Sequence, residues 1–83
     1  MTLNIMCSIG HDVRIGKHSQ LSAHVNLTGH VDIGEEVMIN SNVCVAPGVK
    51  IGNGATLGIG SVVLKDVGEG ETVFGNPARV VAK

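Results

Sequence analysis

Aromatic side chains are almost missing from this 83-residue sequence: Phe74 stands alone, with no Trp or Tyr. A core without aromatics has to be filled by many small and branched aliphatic groups. That suits stacked layers better than a bundle or a two-sheet sandwich. Charge of one sign is also lacking. Six Lys and Arg stand against seven Asp and Glu, a formal net charge of −1, so no basic footprint invites nucleic acid or an anionic membrane. No apolar run approaches the roughly 20 residues of a membrane span, and no basic-then-apolar leader opens the sequence. Cys7 and Cys44 are too few for a disulfide framework, so a reducing, cytoplasmic setting is the expectation. A chain of this length makes one small domain, near the lower size at which a core holds alone.

What the sequence has is a period of six. Leu3, Ile9, Ile15, Leu21, Leu27, Ile33, Ile39, Val45, Ile51, Leu57 and Val63 are all aliphatic, without a gap. Four places after each stand Cys7, Val13, Ser19, Val25, Val31, Val37, Val43, Val49, Ala55, Ser61 and Val67, all small or β-branched. The place directly after each aliphatic residue is rich in Gly and Asn, which tolerate left-handed backbone angles, and it is expected to be the turn. A period of six matches neither 3.6 nor 3.5, so a helix is excluded. The expected fold is all-β: a left-handed parallel β-helix over residues 1–68, with three hexads to each triangular coil. Residues 18 apart then stack at about 4.8 Å, and residues 69–83 form a tail packed on the coil. Arg14, Asp32 and Lys50 fall in one outward ladder with alternating sign, a favourable order for cross-strand neighbours.

The hexad phase puts all four histidines at exposed corners: His11 two places after its aliphatic residue, and His18, His24 and His30 three places after theirs. Polar residues suit corners for structural reasons alone. His11 has further company, since Asp12 follows it and Gly29 lies one coil above. An imidazole takes a proton from an attacking hydroxyl or amine, and a carboxylate fixes its tautomer and raises its basicity. An uncovered backbone N–H stabilises the charge that develops on a thioester carbonyl oxygen. His30 also stacks over Asp12, so the carboxylate serves either His11 or His30. A three-histidine zinc site is disfavoured, because gaps of seven, six and six residues do not let the imidazoles converge.

The stretch S-I-G-H-D-V-R-I-G from Ser8, L-T-G-H-V-D-I-G from Leu27 and A-P-G-V-K-I-G from Ala46 share one resemblance with L-G-I-G-S-V-V-L-K-D-V from Leu57 and G-N-P-A-R from Gly75. Together they resemble the β-helix domain of bacterial sugar O-acyltransferases of the sialic-acid O-acetyltransferase type. That family includes N-acetyltransferases acting on UDP-4-amino sugars. The resemblance implies a homotrimer with active sites in grooves between neighbouring subunits, acetyl-CoA as co-substrate and no metal. It makes His11 the general base, has Asp12 raise its basicity, and has the Gly29 N–H meet the acetyl carbonyl. Acetyl-CoA would run past Gln20, Ser41 and Ile59, with Asn76, Pro77 and Ala78 towards its nucleotide end; charge alone, not the resemblance, suggests Arg79 or Lys83 as the partner of a phosphate there. Gln20 departs from the pattern, since relatives often carry a histidine there. Such enzymes also carry a nucleotide-sugar-binding α/β domain before the β-helix, whereas this sequence opens one hexad before the motif. It is expected to be a separate small protein or a piece of a longer enzyme. The functional expectation is direct acyl transfer to an oxygen or nitrogen of a sugar or nucleotide-sugar. The alternative is a non-catalytic trimeric assembly module. Leu3, Ile5 and Met6, with nothing to cap them, suggest a head-to-head dimer of trimers.

Overall fold

The computed structural model describes residues 2–3 and 7–82, with side chains from Cys7 onward. Eleven strands of two residues follow one another: β1 (Thr2–Leu3), β2 (Ser8–Ile9), β3 (Arg14–Ile15), β4 (Gln20–Leu21), β5 (Asn26–Leu27), β6 (Asp32–Ile33), β7 (Met38–Ile39), β8 (Cys44–Val45), β9 (Lys50–Ile51), β10 (Thr56–Leu57) and β11 (Val62–Val63). Two longer strands close the chain, β12 (Thr72–Gly75) and β13 (Ala78–Ala82). Every third strand stacks in parallel, giving three faces. Sheet I has the order β1-β4-β7-β10-β12-β13, sheet II β2-β5-β8-β11, and sheet III β3-β6-β9. The register is the expected 18 residues, as in Leu21↔Ile39 and Val45↔Val63. This is the hexapeptide-repeat β-helix anticipated from the period of six.

Two-residue strands work because the first residue faces out and the second faces in. Asn26 is exposed beside buried Leu27, and Asp32 beside buried Ile33. The inward columns Leu21, Leu27, Ile33, Ile39, Val45 and Leu57, with Val25, Val31, Val37 and Val43 between them, form one continuous core. Each such side chain contributes about 1.5–3 kcal/mol by leaving water. Two inward positions are serine and stay satisfied: Ser19 Oγ donates to the Gly34 carbonyl at 2.7 Å and accepts from Val37 N–H at 3.1 Å. Among the described residues, Ile9 (40% exposed) and half-buried Ile15 depart from this, since β2 and β3 are end strands of sheets II and III. The side chains of Leu3, Ile5 and Met6, on which the head-to-head contact was expected, lie outside the described residues.

The turn does not sit where the glycines suggested. Left-handed backbone angles occur three places after each aliphatic residue from Ile9 to Leu57, at Asp12, His18, His24, His30, Glu36, Asn42, Gly48, Gly54 and Gly60, and again at Gly70 after Val67. The place directly after the aliphatic residue is glycine for a different reason, close approach. A Cβ on Gly16 would lie 2.5 Å from the backbone of Gly34, and one on Gly52 would lie 2.6 Å from the Glu69 nitrogen. Two of the side chains at that place bond to the coil above: Thr28 Oγ1 donates to Val45 O at 2.7 Å and Asn40 Nδ2 to Leu57 O at 2.9 Å.

The register changes past β11. The register drops from 18 to 16 residues at Ile51↔Val67 and Leu57↔Val73, so one corner is two residues short and the coil then resumes. Val67 and Val73 are buried in the aliphatic columns, and Gly70 takes the left-handed corner. Only after β12 does the chain leave the coil, turning at Asn76-Pro77 so that β13 pairs antiparallel at the end of sheet I. The charged ladder is in register, Arg14↔Asp32 and Asp32↔Lys50, yet no ion pair closes among these three side chains. Both thiols are free, with Cys7 Sγ donating to Ser22 O at 3.1 Å. Among the described residues no helix is long and apolar enough to cross a membrane.

Candidate active site

The corner between sheets II and III stacks His11-Asp12 under Gly29-His30, and Pro47-Gly48 stands above them. The coils are fixed to one another by His30 N–H donating to His11 O at 2.8 Å and Gly48 N–H donating to Gly29 O at 3.1 Å. Asp12 and His30 occupy the left-handed corner place, with φ of 59° and 63°, a conformation Asp and His enter more readily than most side chains. This explains histidine at His18 and His24 as well, for which no ion pair occurs among the described residues.

The structure brings His11, Asp12 and Gly29 together and adds His30. Asp12 Oδ2 lies 3.3 Å from His11 Nε2 and 3.6 Å from His30 Nδ1, so the carboxylate faces both imidazoles rather than choosing one. With Nε2 turned to the carboxylate, Nδ1 is the nitrogen of His11 left to act as a base. The two rings meet edge to face, 6.2 Å between centroids. The His11 side chain is 87% exposed in a single chain, so nothing in that chain shields it from water.

Gly29 carries an unclaimed amide. The matching N–H groups of Lys17, Ala23, Ser41, Asn53 and Ile59 likewise find no acceptor among the described residues, and only that of Glu35 donates, to Asn53 Oδ1 one coil above at 2.8 Å. Above Gly29 stands Pro47, which has no side-chain acceptor, and no acceptor among the described residues takes the Gly29 N–H. Gly10 keeps this amide uncovered from below, since a Cβ there would lie 2.7 Å from the Gly29 nitrogen. Reading the sequence missed Gly10. The signal was present, because 10 and 29 bracket the same corner, but only the close approach of the backbones reveals it.

The remaining predicted positions do not converge on His11 within one chain. Gln20 is exposed on sheet I, and Ser41 and Ile59 stack at the corner between sheets I and II, joined by Gly60 N–H donating to Ser41 O at 2.9 Å. Pro77 and Ala78 line a shallow cleft of about 370 Å³ with Leu64, Lys65 and Arg79, while exposed Asn76 belongs to the adjoining turn. Lys65 is a second cation that the sequence did not single out. It reaches the hairpin only because the short corner pulls the coil in, a shift invisible in an unbroken period. Lys83 lies outside the described residues. A second, open groove of about 500 Å³ runs along sheet III beside Asp12 and His30, lined also by Arg14, Asp32 and Lys50. No group of three or more His, Cys, Asp or Glu among the described residues is arranged to hold a metal ion.

Fold and corner together are those of a hexapeptide-repeat β-helix. The family described as bacterial transferase hexapeptide (six repeats) matches residues 30–65. Among solved structures, a point mutant of perosamine N-acetyltransferase from Caulobacter crescentus, in complex with CoA and GDP-perosamine, superposes with a TM-score of 0.93 at 30% identity. The overlap covers 96% of this chain and 38% of that one. The acetyltransferase domain of PglB from Neisseria gonorrhoeae, in complex with acetyl coenzyme A, gives 0.92 at 33% identity, over 94% of this chain and 38% of that one. Neisseria gonorrhoeae serine acetyltransferase is more distant, with a TM-score of 0.64 at 28% identity over 94% of this chain and 38% of its own. No curated protein sequence matches. The resemblance to the β-helix domain of sugar acyltransferases therefore stands, and the chain spans about two fifths of the length of these relatives.

Proposed function

We propose that this β-helix belongs to an acetyl-CoA-dependent acyltransferase that passes the acetyl group directly to a hydroxyl or amine of a sugar or nucleotide-sugar. One observation carries the reading: a base, its carboxylate and an unclaimed N–H share a single corner of the coil. The acceptor's proton goes to His11 Nδ1 as its oxygen or nitrogen attacks the thioester carbonyl. Asp12 holds Nε2–H and stabilises the imidazolium that forms. The Gly29 N–H donates to the carbonyl oxygen as it becomes negative. Loss of the CoA sulfur, which takes the proton back from His11, yields the acetylated acceptor and free CoA.

In this reading the co-substrate lies along Gln20, Ser41 and Ile59, with its nucleotide end at Asn76, Pro77 and Ala78. Lys65 and Arg79 there offer positive charge to a phosphate. These positions and His11 stand on different edges of one chain. A homotrimer would complete each site, with one subunit's His11 corner facing the Ser41–Ile59 corner of the next. The experiment is an acetyl-transfer assay with 4-amino nucleotide-sugars and free sugars as acceptors, on the wild type and His11→Ala. We expect wild-type turnover and a loss of about 10²–10⁴-fold in the variant. Equal rates in both would remove His11 from the chemistry.

A further inference from the structure

We infer that the groove on sheet III seats the acceptor's hydroxyl-bearing sugar ring, with Asp32 as the residue that selects it. The inference rests on the transferase reading for the reaction it serves, though not for the binding itself. Charge is spread unevenly over the three faces. The outward places of β2, β4, β5, β7, β8, β10 and β11 carry none, whereas every strand of sheet III carries one there, at Arg14, Asp32 and Lys50. Solubility alone would not load one face and spare the other two. The loaded face is also one of the two that meet at the His11 corner.

Arg14, Asp32 and Lys50 stand in one register column, about 4.8 Å from coil to coil. Neighbours so close and opposite in sign are able to satisfy one another. Among the described residues they do not: no ion pair closes between them, and the Asp32 carboxylate accepts no hydrogen bond. They line instead, with Asp12, Val13, His30 and Val31, an open groove of about 500 Å³. Two strand residues, about 7 Å, separate Arg14 from Asp12, so a hydroxyl or amine projecting from a ring on the ladder reaches the His11 corner. A sugar ring presents hydroxyls that both donate and accept. Asp32 accepts from two neighbouring hydroxyls, while Arg14 below it and Lys50 above it donate to oxygens on either side. A diphosphate fits badly, because Asp32 stands between the two cations and repels it. Asp66 adds a further carboxylate next to Lys50, its Oδ1 accepting from the Lys50 N–H at 2.9 Å. The same ring arrives either free or carried by a nucleoside diphosphate, and in the second case the diphosphate lies off this face.

The test follows the backbone amide signals of Arg14, Asp32 and Lys50 by NMR in the wild type, Asp32→Ala and Arg14→Met. The probes are methyl 4-amino-4,6-dideoxyhexosides in gluco and galacto forms, their UDP-linked counterparts, and UDP alone. At least one glycoside and its UDP-linked form should move these amides, and UDP alone should not. Asp32→Ala and Arg14→Met should each weaken glycoside binding about tenfold or more. Neither side chain makes a hydrogen bond or ion pair among the described residues, so both variants should keep the wild-type spectrum away from sheet III. In the transfer assay kcat/KM for the same acceptor should fall by a similar factor, with the KM for acetyl-CoA kept to within about twofold. Sheet III amides unmoved by every glycoside, equal glycoside affinity in Asp32→Ala, or an equal response to UDP alone overturns the proposal. Glycoside binding on sheet III by a protein that transfers no acetyl group would instead count against the transferase reading and leave the sugar seat in place.

Discussion

Pro47 above Gly29 suggests a substitution that removes the Gly29 N–H and sets a pyrrolidine ring in its place. Proline is accommodated at the same place one coil up, and the Gly29 N–H has no acceptor to lose among the described residues. Gly29→Pro should therefore unfold within about 0.5 kcal/mol of the wild type. Its kcat should drop about 10²–10³-fold if that N–H meets the developing charge. Denaturant unfolding paired with single-turnover kinetics checks both halves. A stable variant with full activity would assign the charge-stabilising role elsewhere. At this scale the sequence was readable wherever arithmetic in steps of 18 suffices, which put His11, Asp12, Gly29 and His30 at one corner. It could not say that Asp12 faces both imidazoles, because that depends on side-chain rotation. Nor could it bring Lys65 to Arg79, because that depends on a register shift.

Within each hexad, two glycine places have opposite reasons for being glycine, and Gly52 and Gly54 put them side by side. Gly54 has a φ of 72° with open space where a Cβ would go, whereas Gly52 faces the backbone of Gly68 and Glu69. Asparagine adopts the left-handed angle at Asn42. Gly54→Asn should thus shift stability by no more than about 0.5 kcal/mol, while Gly52→Asn should cost about 1–3 kcal/mol or more through overpacking. Urea midpoints of the two variants decide the matter, and the reverse order would restore the turn to the place after the aliphatic residue. Composition pointed to the wrong place because glycine serves both needs, and periodicity alone does not separate them. The extra hexad, Val67-Gly68-Glu69-Gly70-Glu71-Thr72, was legible in principle. It repeats the pattern of Ile51-Gly52-Asn53-Gly54-Ala55-Thr56, displaced by two residues, with Glu71 in the inward place. Glu71 is tolerated there, half-buried, because its Oε1 accepts from Gly68 N–H at 2.7 Å.

For the molecule as a whole, three flat faces and three corners separate the chemistry from the proposed co-substrate path. His11 stands on one corner, and Ser41 and Ile59 stand on another. A site that needs both is completed only between subunits. His11→Ala and Ile59→Glu should each be inactive alone, yet co-expressed chains should recover activity at about a quarter of sites, the share in which an intact His11 faces an intact Ile59. No recovery in mixed oligomers would mean that each chain works by itself. The central claim is that this coil binds acetyl-CoA for chemistry carried by His11, and calorimetry of acetyl-CoA with the wild type and His11→Ala tests it most directly. Binding by the wild type that persists in His11→Ala is the predicted result, with the histidine serving transfer rather than docking. No binding by either protein would contradict the account and leave the β-helix as an assembly module.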